Sequence, residues 1–166
     1  MRTMGVVLAG GQSTRMRTDK AELLVDQEGC SVAVDSGAAG AAGAPRGNAQ
    51  VTLLERQVAL LESFLGVGQV VVSGNRPGFR HICDEEGELN GPRVRGPLEG
   101  IRSVLHWHRN GNCVGKLLVI PVDMPNLNSA GLNKLLQAET SAAITRFANH
   151  QFPLLINDSL TVLQAI

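Results

Sequence analysis

Three short apolar runs constrain this chain most: MGVVLA at residues 4–9, QVVV at 69–72 and KLLVIP at 116–121. None alternates with polar residues, and each stops abruptly at a polar cluster. Such runs read as strands buried on both faces, which places them inside a sheet covered by helices. The segments between them carry helical spacing. Across residues 51–64, Leu53, Leu54, Gln57, Val58, Leu61 and Leu65 recur every three or four positions, with Glu55, Arg56 and Glu62 elsewhere on the wheel. Residues 97–108 open on a proline suited to a first turn and align Ile101, Val104, Leu105 and His108. Leu132, Leu135 and Leu136 mark a helix over 128–139. Weaker strand patterns lie at 80–83, 142–146 and 152–156, a helical stretch at 157–166, and residues 21–25 are apolar without a clear period. Strands separated by helices predict an α/β fold: three layers, Rossmann-like, with a mostly parallel sheet flanked by helices. Ligands bind such sheets beyond the carboxyl ends of the strands. The loop at 10–20 and Asp123, each following a strong strand, should therefore face one crevice.

With 166 residues, 43% of them apolar, the chain suits a single domain spanning 1–166 with a substantial core. It contains no apolar stretch near the ~20 residues of a membrane span. Its first residues turn glycine-rich too early for a secretory leader. Cys30, Cys83 and Cys113 are odd in number and widely spaced, which argues against a disulfide framework or zinc site and fits a reducing cytoplasm. Cys83 and Cys113 are expected as small buried hydrophobes. A net charge of zero gives no long-range attraction to nucleic acid or to anionic membrane. Residues 30–50 contain GAAGAAGA, with nothing bulky to bury, and read as a flexible insertion. The alanines leave a short helix open as the alternative.

Gly10 and Gly11 allow close backbone approach to a ligand, and N–H groups there can cradle an anion. Arg15 and Lys20 add positive charge, and Lys20 is one of only three lysines. These are the elements of a phosphate site, although the loop is neither G-x-x-x-x-G-K-[ST] nor G-x-G-x-x-G. A plain strand-to-helix turn is the alternative. Asp123 follows the strand ending at Pro121, where a carboxylate facing a polyphosphate is a natural Mg²⁺ ligand; a turn aspartate is the alternative. Asn75 and Arg76, beyond QVVV, are placed to touch base or phosphate. Asp84 begins the acidic run DEEGE, which reads as solvated loop surface with one carboxylate near a strand end. Gly96 and Gly100 suit either ligand approach or tight packing. His106 and His108, two apart on a helix, do not share a face as a metal pair would, and Trp107 reads as packing. Ser13 lacks a nucleophile-elbow context.

Residues 8–20, LAGGQSTRMRTDK, resemble the opening L-A-G-G-x-S-x-R-M-G-x-D-K of the molybdenum cofactor guanylyltransferase family. That family is part of the nucleotidyltransferase group with the nucleotide-diphospho-sugar transferase fold. TLLERQ, VVVSGNR, GPLEGI, PVDMP and FANHQFPLL follow in family order. The resemblance implies transfer of GMP from Mg-GTP to the molybdopterin-bound molybdenum cofactor, with release of pyrophosphate. By carry-over, Leu8, Ala9, Gly10 and Gly11 contact the nucleotide and Lys20 its phosphates. Arg15 assists at phosphate, Asp123 holds Mg²⁺, and Asn75 and Asp84 lie near the guanosine. GTP and the molybdenum cofactor are the implied substrates, with cofactor-delivering or molybdoenzyme-chaperone proteins as partners of a cytoplasmic monomer. Cytidylyltransferases and sugar-1-phosphate nucleotidyltransferases of the same fold are the enzymatic alternatives; a catalytically impaired nucleotide-binding protein is the other. Three features depart from the family pattern: Arg17 in place of the glycine of R-M-G, the block at 30–50, and an end at Ile166, short of an N-x-N-T-P-E-like segment. Together they predict that nucleotide binding outlasts turnover.

Overall fold

The computed structural model describes residues 2–10, 19–26, 50–83, 96–110, 115–138, 141–157 and 159–165. Gly11, Arg15, Arg17, Asp84 and Cys113, together with residues 30–49 of the expected insertion, lie outside them.

The three apolar runs form the middle of a six-stranded sheet. Strand β1 (Arg2–Leu8) sits between β4 (Val70–Ser73) and β6 (Gly115–Pro121), parallel to both. A short β5 (His81–Ile82) extends the sheet beyond β4, and β8 (Leu154–Ile156) with β7 (Ile144–Arg146) extends it beyond β6. Only β8 runs against its neighbours, pairing antiparallel with β6 and β7. The mostly parallel sheet is thus as the periodicity implied.

Alternation along the buried strands divides the core into two layers. Val7, Val72, Leu118, Ile120 and Leu155 meet Leu53, Leu54 and Leu61 of helix α1 (Leu53–Leu65) and Leu132 and Leu135 of α3 (Ser129–Leu136). On the other face, Val6, Val71, Leu117 and Val119 meet Ile101, Val104 and Leu105 of α2 (Pro97–Asn110) and Val162 of α4 (Ser159–Ala165). Gly100 lets α2 lie close to the sheet: a Cβ there would stand 2.6 Å from the Ser73 hydroxyl and 3.3 Å from Leu8. Of the two readings of the GPLEG glycines, tight packing is the one realised at Gly100.

Local chemistry moves several boundaries. Helix α1 begins at Leu53 rather than 51, because Val51 and Thr52 belong to β3 (Gln50–Thr52). That strand pairs antiparallel with β2 (Leu24–Asp26). Thr52 closes a capping box: its Oγ1 accepts from the Glu55 N–H at 3.1 Å, and its own N–H donates to Glu55 Oε2 at 2.7 Å. This holds the Glu55 carboxyl below the usual carboxylate range. The ambiguous segment after Asp19 splits into a single 3-10 turn (Lys20–Glu22) and β2. Asn128 caps α3 instead of joining it, its side chain accepting from the Gly131 N–H. Cys83 is exposed, not buried, because it falls just past the two-residue β5.

The strand register sets the geometry of the site. Leu8 is level with Ser73 on one side and Pro121 on the other. The chain therefore leaves β1, β4 and β6 at one edge, in three adjacent loops.

Candidate functional site

The loops after β1 and β4 are stapled together at the backbone. The Ala9 N–H donates to the Ser73 carbonyl at 3.0 Å. Gly74, at φ +111°, lies so near Gly10 that a Cβ would come within 2.9 Å of its backbone N and Cα. A side chain at 74 is excluded on both counts. Leu8 and Ala9 are buried, the Leu8 carbonyl accepting from the Val122 N–H and the Ala9 carbonyl from Arg76. Their carbonyls thus knit three strand ends together, and Gly10 is the exposed backbone that follows.

Arg76 adds to its expected role. Beside any ligand contact, its guanidinium is held from within the protein. Nη2 donates to the Ala9 carbonyl at 2.8 Å and to Asp19 Oδ1 at 2.9 Å, while Nη1 pairs with Asp19 Oδ2. This two-pronged pairing is the geometry that an arginine fork favours with a carboxylate. Asp19 also accepts from the Ala21 N–H at 3.0 Å, capping the 3-10 turn that carries Lys20. The Arg76 hydrogen bonds, foremost, hold the Asp19 carboxyl below its ordinary value.

Lys20 and Asp123 meet across the edge. Their Nζ and Oδ2 are 2.8 Å apart although the residues are separated by 103 positions in sequence. Lys20 and Asp123, expected to face one crevice, are thus brought together. Both side chains are well exposed, at 37% and 47%, so the pair adds little to stability. Its value lies in placing a mobile cation beside a hard oxygen donor.

Helix α1 grips the Asp123 loop from the side. Arg56 Nη1 donates to the Pro125 carbonyl, and Gln57 Nε2 donates to the Met124 carbonyl at 2.7 Å. Gln57 is fully buried, and its Oε1 has no partner. Helical spacing alone placed Gln57 on the apolar face of α1. A buried amide must find partners, and that requirement was the one signal for its grip on the loop.

The Asp123 carboxylate suits Mg²⁺. Among the described residues only Lys20 pairs with it, through Oδ2, and they contain no cluster of three or more His, Cys, Asp or Glu that could hold a metal. Mg²⁺ takes one or two carboxylates together with substrate phosphates and water, so a single aspartate can be the protein's whole share. Asn75 is exposed just beyond β4, at the same edge.

On the far side of Asp123 an open cleft of about 680 Å³ runs toward β7 and β8, bordered by Asn126, Leu127, Phe147, His150 and Phe152. Most of the FANHQFPLL segment lies along it; sequence reasoning gave that segment no part in the site. The remaining minor calls stand as geometry: His108 is buried in α2 while His106 is not, and Trp107 packs against the α2-side core with Arg80 over its ring at 5.3 Å.

A family model described as the MobA-like NTP transferase domain matches residues 5–165. A molybdenum cofactor guanylyltransferase of Xanthomonas euvesicatoria pv. vesicatoria (strain 85-10) is 37% identical over 167 residues, an alignment covering 97% of this chain and 70% of that protein. The chain, whose sheet brings Lys20 and Asp123 together at one edge, belongs to the MobA-like NTP transferase family of nucleotidyltransferases.

Proposed function

We propose that this chain transfers GMP from Mg-GTP to the molybdopterin-bound molybdenum cofactor, releasing pyrophosphate. The observation that carries this reading is the convergence of Lys20 and Asp123 at the carboxyl edge, beside an open cleft. The printed name of the Xanthomonas relative supports the choice of nucleotide and acceptor. Asp123 would hold Mg²⁺, which when bound supplies charge neutralisation on the phosphate oxygens.

The chain's own residues would orient and neutralise. Gly10 and Gly11 bring backbone close to the polyphosphate, with Leu8 and Ala9 fixing where that backbone stands. Lys20, anchored through the Asp19 turn, places its ammonium against the phosphates, and Arg15 adds a second cation there. Asn75, exposed at the carboxyl edge, would contact the guanosine, and the family resemblance gives Asp84 the same role. The cleft beyond Asp123 would take the acceptor. Leu127, Phe147 and Phe152 suit a flat ring system, and with Asp123 on its border the cleft would bring the acceptor's terminal phosphate near the nucleotide. That phosphate oxygen attacks the α-phosphorus in line, the bond to the β-phosphate oxygen breaks, and pyrophosphate departs with the electron pair. No protein nucleophile is needed, and alignment of the two substrates is the chain's main contribution. The reaction would run in the cytoplasm on a monomeric protein made of one domain.

The test is pyrophosphate release measured with GTP, CTP or sugar-1-phosphate pairs, each with and without molybdenum cofactor. Release restricted to GTP plus the cofactor is expected. Release with CTP, or with a sugar-1-phosphate as acceptor, would overturn the assignment.

A further inference from the structure

Another cavity, on the α2–α4 side of the sheet, lies between those two helices. It measures about 470 Å³ and is lined by five residues: Arg102, His106, Arg109, Leu163 and Gln164. The three basic residues repeat at i, i+4 and i+7 on α2, so they stand in one row along the helix. The adjoining face of that helix is buried: Ile101, Val104 and Leu105 pack in the core, and His108 is buried beside them. Leu163 packs onto the edge of the same core and closes the cavity floor from the α4 side.

The electrostatics of this cavity are unbalanced. Among the described residues no carboxylate lines it. The described ion pairs, Lys20–Asp123 and Arg76–Asp19, involve neither of its arginines. Arg102 and His106 are half-buried, so part of each is withdrawn from water, and among the described residues no ion pair offsets this. Arginine at the end of a helix is favoured by the helix dipole, which accounts for Arg109 in the last turn of α2. The dipole does not account for Arg102, two turns earlier.

We infer that the α2–α4 cavity is a second anion site, which takes the phosphate groups of a small di- or triphosphate. Two guanidinium forks two turns apart on one helix face can each pair with phosphoryl oxygens in the bidentate manner. The volume falls in the range of small-ligand sites, which favours a compact polyanion over an extended acidic peptide. α2 starts at the carboxyl edge and carries these residues away from it. The site is therefore spatially separate from the Lys20–Asp123 pair, and its occupant does not take part in the transfer step. The shared chemistry admits free pyrophosphate or the phosphates of a nucleotide.

The experiment follows the imidazole resonances of the four histidines by NMR during titration of the full chain with inorganic pyrophosphate and, separately, with GTP, at constant ionic strength and without divalent metal. His106 is assigned through His106→Gln. A saturable shift of the His106 signals is expected, and it should persist in Asp123→Asn. It should weaken at least about tenfold in Arg102→Gln/Arg109→Gln, since each charge-assisted hydrogen bond is worth about a factor of ten or more. Which anion saturates at lower concentration identifies the source. A His106 signal that does not move, that moves equally with chloride, or that moves undiminished in the double variant would overturn the site. None of these outcomes bears on whether GMP transfer itself occurs.

Discussion

The carboxyl edge has two halves built on different principles. Around β1 and β4 the polar groups are cross-braced: Arg76 holds Asp19 and the Ala9 carbonyl, Asp19 holds the turn of Lys20, and Lys20 meets Asp123. Beyond Asp123, toward β7 and β8, the cleft mixes Leu127, Phe147 and Phe152 with Asn126, Asn128 and His150, with no described ion pair among them. Charges that must stand a fixed distance from phosphate oxygens benefit from bracing, because a displacement of about 1 Å can cost a hundredfold in rate. A ring system held by apolar walls tolerates more play. The first half would thus govern nucleotide and chemistry, and the second the acceptor.

Replacing Asp123 by Ala is the strongest test of the braced half. Mg-dependent turnover should fall by about three orders of magnitude, the scale of several kcal/mol of lost charge stabilisation, while nucleotide binding measured without metal persists. Retained turnover would remove Asp123 as metal ligand.

Arg76→Met comes next. It frees Asp19 and leaves the Ala9 carbonyl without its donor, so kcat/KM should drop about 10–100-fold through a misplaced Lys20. Arg76→Lys, which keeps the charge but not the fork, should recover only part of that loss. Full activity in Arg76→Met would show that the brace is irrelevant to the reaction.

In the cleft half, Phe147→Ala should raise KM for the acceptor several-fold with Mg-GTP affinity unchanged, about what losing 1–2 kcal/mol of buried aromatic contact produces. Equal changes in both affinities would erase the division between the halves.

Gly100→Ala probes the packing behind the braced half. Overpacking against Ser73 costs about 1–3 kcal/mol, and the roughly 1 kcal/mol that alanine gains in a helix offsets part of it. Chemical denaturation should show a net loss of about 1 kcal/mol. The smallest effect is a pH dependence. Burial lowers the His108 pKa below its ordinary 6.5, so the unfolded chain takes up a proton that the folded one refuses. Stability should be fully present above that value and decline as pH falls below it, and the decline should be absent in His108→Leu.

Much of this was legible in the sequence because it depended on local pattern. Uninterrupted apolar runs marked the central strands, and helical spacing marked α1, α2 and α3. The rule that ligands sit at carboxyl ends brought Lys20 and Asp123 to one crevice before any distance was known. What pattern could not convey was pairing. Arg76 reads as a free cation beside a phosphate loop until Asp19 is seen to occupy it. Gln57 reads as one more position on an apolar face until the Met124 carbonyl is seen to need a donor. Val51 and Thr52 match the helix period, yet pairing with β2 claims them as strand.

The β2–β3 pair also bears on how this part of the chain can change over time. Asp26 and Gln50 face one another as register partners, so the polypeptide leaves and returns at a single point. Loop-closure cost grows only by about 0.6 kcal/mol for each doubling of length. Residues can accordingly be gained or lost between these two strands without altering the distance from Lys20 to α1. Chain length there is uncoupled from the spacing of the site, and a variant joining β2 to β3 by a tight turn should keep the Lys20–Asp123 geometry intact.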